Sequence, residues 1–301
     1  MLLSVIVPTH NPHRGRLDRT LAGLRAQTLP AAQWELLVVD NASAPALAPG
    51  SAALPGNGRV VVEPQLGLTH ARRRGFTAAG GEFIVMVDDD NVLAPDYLAQ
   101  VLALFAAHPG IGALGGRSVA EFERAPAAWW QPEFDGLIAC RDLGPKPLTA
   151  RGHAEYPACA PIGAGMALRR AAVQAWLADP ASAALTDRRG SELTSGGDND
   201  LILYVLKAGW AVAYFPELAL THLIPAGRVE RDYLARLNRG IAKSWMQVLQ
   251  KHSVSPWAPI AAWTVPLRQA RAWLTYRAWK GPAEFIRWQG ACGHFEGRVQ
   301  P

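Results

Sequence analysis

The first 115 residues alternate between two hydrophobic periods. Residues 3–7, Leu-Ser-Val-Ile-Val, are apolar but for one serine, the pattern of a strand buried on both faces. Within 17–26, Leu17, Leu21 and Leu24 recur at helical spacing. The exchange continues with strands over 35–40 and 59–62, a helix over 70–79 and a strand over 83–87. A helix over 95–107, with Pro95 in its first turn, and a strand over 111–115 close the series. Strands alternating with helices predict a mostly parallel sheet covered on both faces. In such sheets ligands bind at the carboxyl ends of strands. Three polar clusters fall there: Thr9-His10-Asn11, Asp40, and Asp88-Asp89-Asp90.

The pattern then loosens. Pro126, Trp129, Trp130, Pro132, Pro145 and Pro147 interrupt any period between 120 and 157, which predicts an irregular segment beside the site. A strand over 163–168, a short helix over 170–177 and a Gly-, Ser- and Asp-rich loop over 179–197 follow. A helix over 198–208 has Gly209 just past its end, and a strand over 210–215 is stopped by Pro216. The chain thus divides into an α/β domain over 1–225 and a helical extension over 226–301.

Charge sharpens that division. The net charge is +5, yet the 74 residues from Arg228 hold twelve Lys or Arg against four Asp or Glu, a balance of +8. The first 227 carry 18 basic and 21 acidic residues. Six of the eleven tryptophans also lie in the tail. Three distant cysteines without C-x-x-C spacing suit neither a disulfide framework nor a zinc site, and point to a reducing compartment. The strand-like N-terminus does not read as a signal peptide, and no stretch approaches 18 uncharged apolar residues. A cytoplasmic protein is the expectation.

The three consecutive aspartates carry the chemistry. Carboxylates this close cannot all stay ionised without a counter-charge. A divalent cation with hard oxygen ligands, Mg²⁺ or Mn²⁺, is the simplest one, and Mg²⁺ is commonly shared between carboxylates and substrate phosphates. A solvated acidic turn leading into the next helix is the alternative.

Five segments in order then resemble the family 2 glycosyltransferases, which have the GT-A fold. Val5-Ile6-Val7-Pro8-Thr9-His10-Asn11 looks like the family's opening strand and nucleotide loop, which implies that Pro8, Thr9 and Asn11 line the donor. Val38-Val39-Asp40 is similar to the segment whose aspartate faces the nucleotide base. The segment from Gly67 to Gly75 resembles "G-x-x-x-A-R-N-x-G", with Arg72 near the nucleotide and Arg73 where the family has Asn. Gly81 to Asn91 looks like the strand and D-x-D metal motif, which implies Asp90 as direct metal ligand, Asp88 at the metal, the ribose or a metal-bound water, and Asp89 on the donor. Gly196-Gly197-Asp198-Asn199-Asp200-Leu201 resembles "G-E-D-x-D-L", with Gly197 in place of Glu. The resemblance covers residues 1–225.

It implies a GT-A fold, a mostly parallel central sheet flanked by helices, and inverting transfer from a UDP-, GDP- or dTDP-sugar to a glycan or lipid-linked acceptor. Asp198 and Asp200 are the catalytic candidates. Two apart on a helix, they cannot face the same way, so one serves the acceptor hydroxyl and the other braces the loop; the resemblance points to Asp198 as base. Helix capping by both is the alternative. His222, after the last strand, is a candidate third metal ligand or an ordinary structural histidine. In the tail, Arg268, Arg271, Arg277 and Lys280 interleave with Trp263, Trp273, Tyr276 and Trp279. Such a stretch suits the inner face of an anionic membrane, or else packs its tryptophans on the core.

Other classes fit less well. No G-x-G-x-x-G follows the first strand, against a dinucleotide-dependent oxidoreductase. A nucleotidyltransferase wants a Gly-rich basic loop there, and the first glycine is Gly15. The acidic sheet edge would repel nucleic acid. A catalytically inactive sugar-binding relative has only Gly197 in its favour.

Overall fold

The computed structural model describes residues 2–47, 54–183, 187 and 193–299. In chain order the elements are β1 (Leu3–Thr9), α1 (Arg14–Arg25), β2 (Trp34–Asn41), β3 (Gly58–Glu63), α2 (Leu68–Ala78) and β4 (Phe83–Met86). There follow β5 (Asn91–Leu93), α3 (Tyr97–Ala107), β6 (Ile111–Phe122), β7 (Leu148–Arg151), β8 (Ala167–Arg169) and α4 (Gln174–Ala178). The chain continues through α5 (Gly197–Lys207), β9 (Ala211–Ile224), α6 (Arg231–Lys251), α7 (Val265–Tyr276) and α8 (Pro282–Gly297).

One sheet runs β3-β2-β1-β4-β8-β6-β9-β5, with β7 also on β9. β3, β2, β1 and β4 are parallel, as the alternation of elements requires. Beyond β4 the sheet is mixed: β8 is antiparallel to β4 and β6, β9 is parallel to β6, and β5 and β7 are antiparallel to β9. Strand parity sorts the two layers. Leu3, Val5 and Val7 share a core with Leu17, Leu21 and Leu24 of α1 and with Tyr97, Leu98 and Val101 of α3. Ile6 and Val39, on the opposite face, pack with Phe76 of α2, Trp176 of α4 and Leu201 and Val205 of α5.

The strand expected to stop at Pro216 runs on to Ile224. Its register against β6 jumps from Gly115↔Tyr214 to Arg117↔Ala219. Proline therefore sits in a bulge, where a missing N–H breaks no ladder bond. Arg117 Nε donates to the Pro216 carbonyl at 3.0 Å and closes the bulge. The far half of β9 consequently pairs with β5, setting His222 opposite Asn91.

The extension does not stand apart. Val248 of α6 belongs to the core of α2, α4 and α5. Leu234 and Leu237 of α6 and Ile286 of α8 share a third core with Phe134, Ile138 and Ile224. Of the segment 179–197, residues 180–183 form a 3-10 turn, while 184–186 and 188–192 lie outside the described residues.

Candidate active site

The carboxyl ends of β1, β2 and β4 open on a cavity of about 290 Å³. Pro8 and Thr9 line it from β1, and Asp88, Asp89 and Asp90 from the loop after β4. Arg72 of α2, Asp198 of α5 and His222 of β9 complete the predicted residues present. Asp187, Gly163 and Arg228 line it too and were not foreseen.

The acidic wall is held by short contacts. Thr9 Oγ1 donates to Asp89 Oδ2. Burial, then the charge of Asp90, pushes the Asp89 carboxyl up to about 6. Asp90, itself buried, lies 3.1 Å from Arg228 Nη1 through Oδ2 and 3.3 Å from His222 Nε2 through Oδ1. Asn91 Nδ2 adds a donor to Asp90 at 3.2 Å. For Arg228, burial is the largest single influence and opposes the charge, but Asp90, Tyr233, Asp88 and Asp89 together outweigh it and the pKa is raised. Hard carboxylate oxygens with an imidazole beside them suit Mg²⁺ or Mn²⁺. Among the described residues no three such side chains are yet gathered tightly enough to hold an ion. Arg228 already supplies a counter-charge at Asp90, so a cation would share that carboxylate with a guanidinium.

A second carboxylate centre stands at the head of α5. Asp198 Oδ2 accepts from the Gly163 N–H at 2.9 Å and Oδ1 from the Asn199 N–H at 3.0 Å. Burial, then the neighbouring Asp187 charge, raises its pKa, and Arg72 only partly offsets this. Asp187 organises the corner. Its Oδ1 accepts from the Gly196 and Gly197 N–H groups, both at 2.7 Å, satisfying two free donors of the helix N-terminus. Its Oδ2 pairs with Arg72 Nη1 at 2.5 Å, with both side chains buried. A Cβ on residue 197 would overlap the Asp187 carboxylate. Gly197 therefore leaves room for an acid delivered from a different loop. Gly163 has the same character, since a Cβ there would stand 2.8 Å from Arg72 Nη2.

Three predicted residues lie elsewhere. Asp200, in the first turn of α5, is fully buried and does not line the cavity. It accepts from Trp176 Nε1 at 3.1 Å and meets Lys251 Nζ at 2.8 Å and His252 Nε2 at 2.7 Å. These contacts tie α5 to α4 and α6, and of the two aspartates only Asp198 lines the cavity. Asp40 accepts from the Ser43 and Leu47 N–H groups at 3.3 and 2.9 Å and so holds its own loop. Asn11 is exposed, its N–H donating to Ser43 Oγ and its Oδ1 accepting from the Ala44 N–H. Both are outside the cavity wall, because short polar side chains at strand ends satisfy nearby backbone groups first. Arg73 bonds the Trp176 and Leu177 carbonyls at 3.1 and 2.7 Å, joining α2 to α4.

The chain matches the model of glycosyl transferase family 2 over residues 4–176, and it belongs to that family. It is similar to an N-acetylglucosaminyltransferase of Bradyrhizobium diazoefficiens, 26% identical over 74% of this chain and 45% of the relative. A second N-acetylglucosaminyltransferase, from Mesorhizobium japonicum, is 27% identical over 74% and 51%. The chain thus spans about half the length of these curated relatives. Among solved structures, a mannosyltransferase from Pyrobaculum calidifontis, in complex with GDP-Man and Mn²⁺, superposes with a TM-score of 0.56 at 20% identity. The overlap covers 96% of this chain and 73% of that one. The fold is GT-A.

Proposed function

We propose that the protein is an inverting, metal-dependent glycosyltransferase. It moves a sugar from a nucleotide-sugar donor to a hydroxyl of a glycan or lipid-linked acceptor. The observation that carries the reading is one cavity lined by Asp88–Asp90 and by Asp198, the latter with a raised pKa. Perturbed acids in a cleft mark candidate sites.

Asp90, Asp88 and His222 are the residues that would hold the cation, and it would supply Lewis-acid stabilisation of the leaving diphosphate. Pro8, Thr9 and Asp89 line the donor side of the cavity in this reading. Asp40 and Asn11 shape the adjoining loop and reach a base only from outside the wall. Arg72 contributes positive charge beside the diphosphate while it neutralises Asp187. Asp198 receives the acceptor proton. Its raised pKa brings a carboxylate closer to the operating range of a general base. A base acting opposite the leaving group gives direct displacement and inversion. Gly197 lends no support to an inactive relative, because the space a side chain there would need is filled by Asp187.

Polysaccharide or lipid-linked glycan synthesis at the inner face of a membrane belongs to the same reading. Among the described residues no helix is long and apolar enough to cross a bilayer. In this reading the contact is peripheral and made by the basic, tryptophan-bearing C-terminal helices.

The test is release of nucleoside diphosphate from UDP-, GDP- and dTDP-sugars with and without Mn²⁺. UDP-GlcNAc and GDP-Man come first, given the relatives' names. One donor should be hydrolysed slowly in a Mn²⁺-dependent way. Asp90→Asn should abolish Mn²⁺-dependent binding of the matching diphosphate in calorimetry while the fold is kept. Equal Mn²⁺-dependent affinity in the variant would sink the metal assignment.

A further inference from the structure

The tail's tryptophans divide by environment. Trp245 packs edge-on against Tyr156 at 4.9 Å, and Trp273 meets Trp288 at 4.7 Å between α7 and α8. Trp263 and Trp279 instead remain 75% and 56% exposed. Packing on the protein thus accounts for Trp245, Trp273 and Trp288, while Trp263 and Trp279 stay at the surface.

α7 is apolar on two opposite sides. Ala272 and Trp273 turn toward α8, where Trp288 Nε1 donates to the Gln269 carbonyl at 3.0 Å. Leu267 and Leu274 are 66% and 65% exposed. Seven residues apart, they lie on one face, with Ala270 between them and Trp263 one turn earlier. A lone exposed leucine means nothing, but a continuous apolar stripe on a surface helix marks a contact site.

The charge around the stripe names the contact. Arg268, Arg271, Arg277 and Lys280 are all exposed. No Asp or Glu occurs between Lys251 and Ala283. A second copy of the chain would bring a like-charged face against this one, which is repulsive. An anionic bilayer suits every component: cations at the phosphates, tryptophans at headgroup level and leucines toward the acyl chains.

We infer that α7 and the turn before it dock through Trp263, Leu267 and Leu274 on an anionic lipid bilayer, with the helix lying in the plane of its surface. This rests on, and deepens, the peripheral-membrane part of the proposed function.

The experiment is flotation of the full-length protein with phosphatidylglycerol and phosphatidylcholine vesicles at low and high salt. Binding should require phosphatidylglycerol and weaken as salt rises. Each basic residue near the surface contributes about fivefold, so Arg268→Gln with Arg271→Gln should lower the partition coefficient roughly 25-fold. Leu267→Gln with Leu274→Gln should weaken binding at both salt concentrations without altering donor hydrolysis measured free of vesicles. The inference is overturned if the parent stays with the soluble fraction at low salt, or if the leucine variant floats like the parent. A parent that is dimeric by light scattering, monomeric in the leucine variant and never floated assigns the face to a second copy. Loss of donor hydrolysis, by contrast, would count against the enzymatic reading alone.

Discussion

Replacing Asp200 by Asn should unfold this protein more readily while leaving its chemistry intact. The carboxylate is fully buried and faces three donors: Trp176 Nε1, Lys251 Nζ and His252 Nε2. Removing one partner of a buried ion pair costs about 3–5 kcal/mol, because the remaining charge is left in a poorly solvated place. Two features hold the cost near the lower end. Asn keeps one acceptor oxygen, and Lys251, whose side chain is 21% exposed, can turn toward water. A loss of about 3 kcal/mol is therefore expected. Urea unfolding followed by tryptophan fluorescence would show it as a lower midpoint at unchanged slope. Turnover measured well below the melting temperature should stay close to the parent. The reasoning fails if the variant unfolds within about 0.5 kcal/mol of the parent, the scatter of ordinary surface changes, or if turnover collapses at full stability.

Asp198→Asn should do the reverse, lowering turnover roughly 10²-fold or more at little cost in diphosphate affinity, with both read by steady-state kinetics and calorimetry. Its raised folded pKa has a further sign: the native state holds the proton longer than the unfolded chain, so this group's contribution to stability falls as pH rises through the interval between the two. Turnover should rise as pH passes the raised folded value and the base ionises, and a pH profile with its acid limb in the ordinary carboxylate range would refute the assignment. Gly197→Ala should destabilise strongly through the Asp187 overlap, whereas Gly197→Glu in an Asp187→Gly background should recover stability, as seen by thermal unfolding; a harmless Gly197→Ala would show that Asp187 does not occupy that space.

The fold was legible where one period ruled. β1, β2 and β4 are buried on both faces, so their residues form unbroken apolar runs, and the helices between them carry one clear stripe. β5 was hidden because three residues between Asp90 and Ala94 are too few to show a period. β7 was hidden because its exposed edge position asks for no alternation. Pro216 misled because a bulge absorbs the proline that a regular ladder rejects.

In the site, legibility followed whether a residue's role was fixed by its own segment. Asp88–Asp90 follow directly from a buried strand, and Asp198 opens a helix, so their places could be read locally. Asp40 and Asp200 have the same local signals, yet Asp40 is consumed by N–H groups of its own loop and Asp200 by donors that only the fold assembles. Asp187 sits in an aperiodic loop and is recruited by Arg72 and two helix N–H groups from distant positions. The unexpected Gly197 was its only trace in the sequence. Arg228 was counted with the basic tail, although it reaches Asp90.

These additions alter the electrostatic argument for a cation. Five carboxylates, at Asp88, Asp89, Asp90, Asp187 and Asp198, and two guanidiniums, at Arg72 and Arg228, line one cavity. Each guanidinium is already close to a carboxylate, Arg72 to Asp187 and Arg228 to Asp90. A diphosphate entering this field meets net negative charge with its natural counter-ions engaged. Protonation relieves part of it, as the upward shifts of Asp89 and Asp198 show. That relief works against both proposed roles, because ligands and bases act deprotonated. A divalent cation bound beside Asp88–Asp90, as proposed above, would resolve the conflict, because it would neutralise that wall without protonating Asp198. Donor binding without a cation should therefore be weakest at high pH, where every carboxylate is ionised, and the gain on adding Mn²⁺ should be largest there.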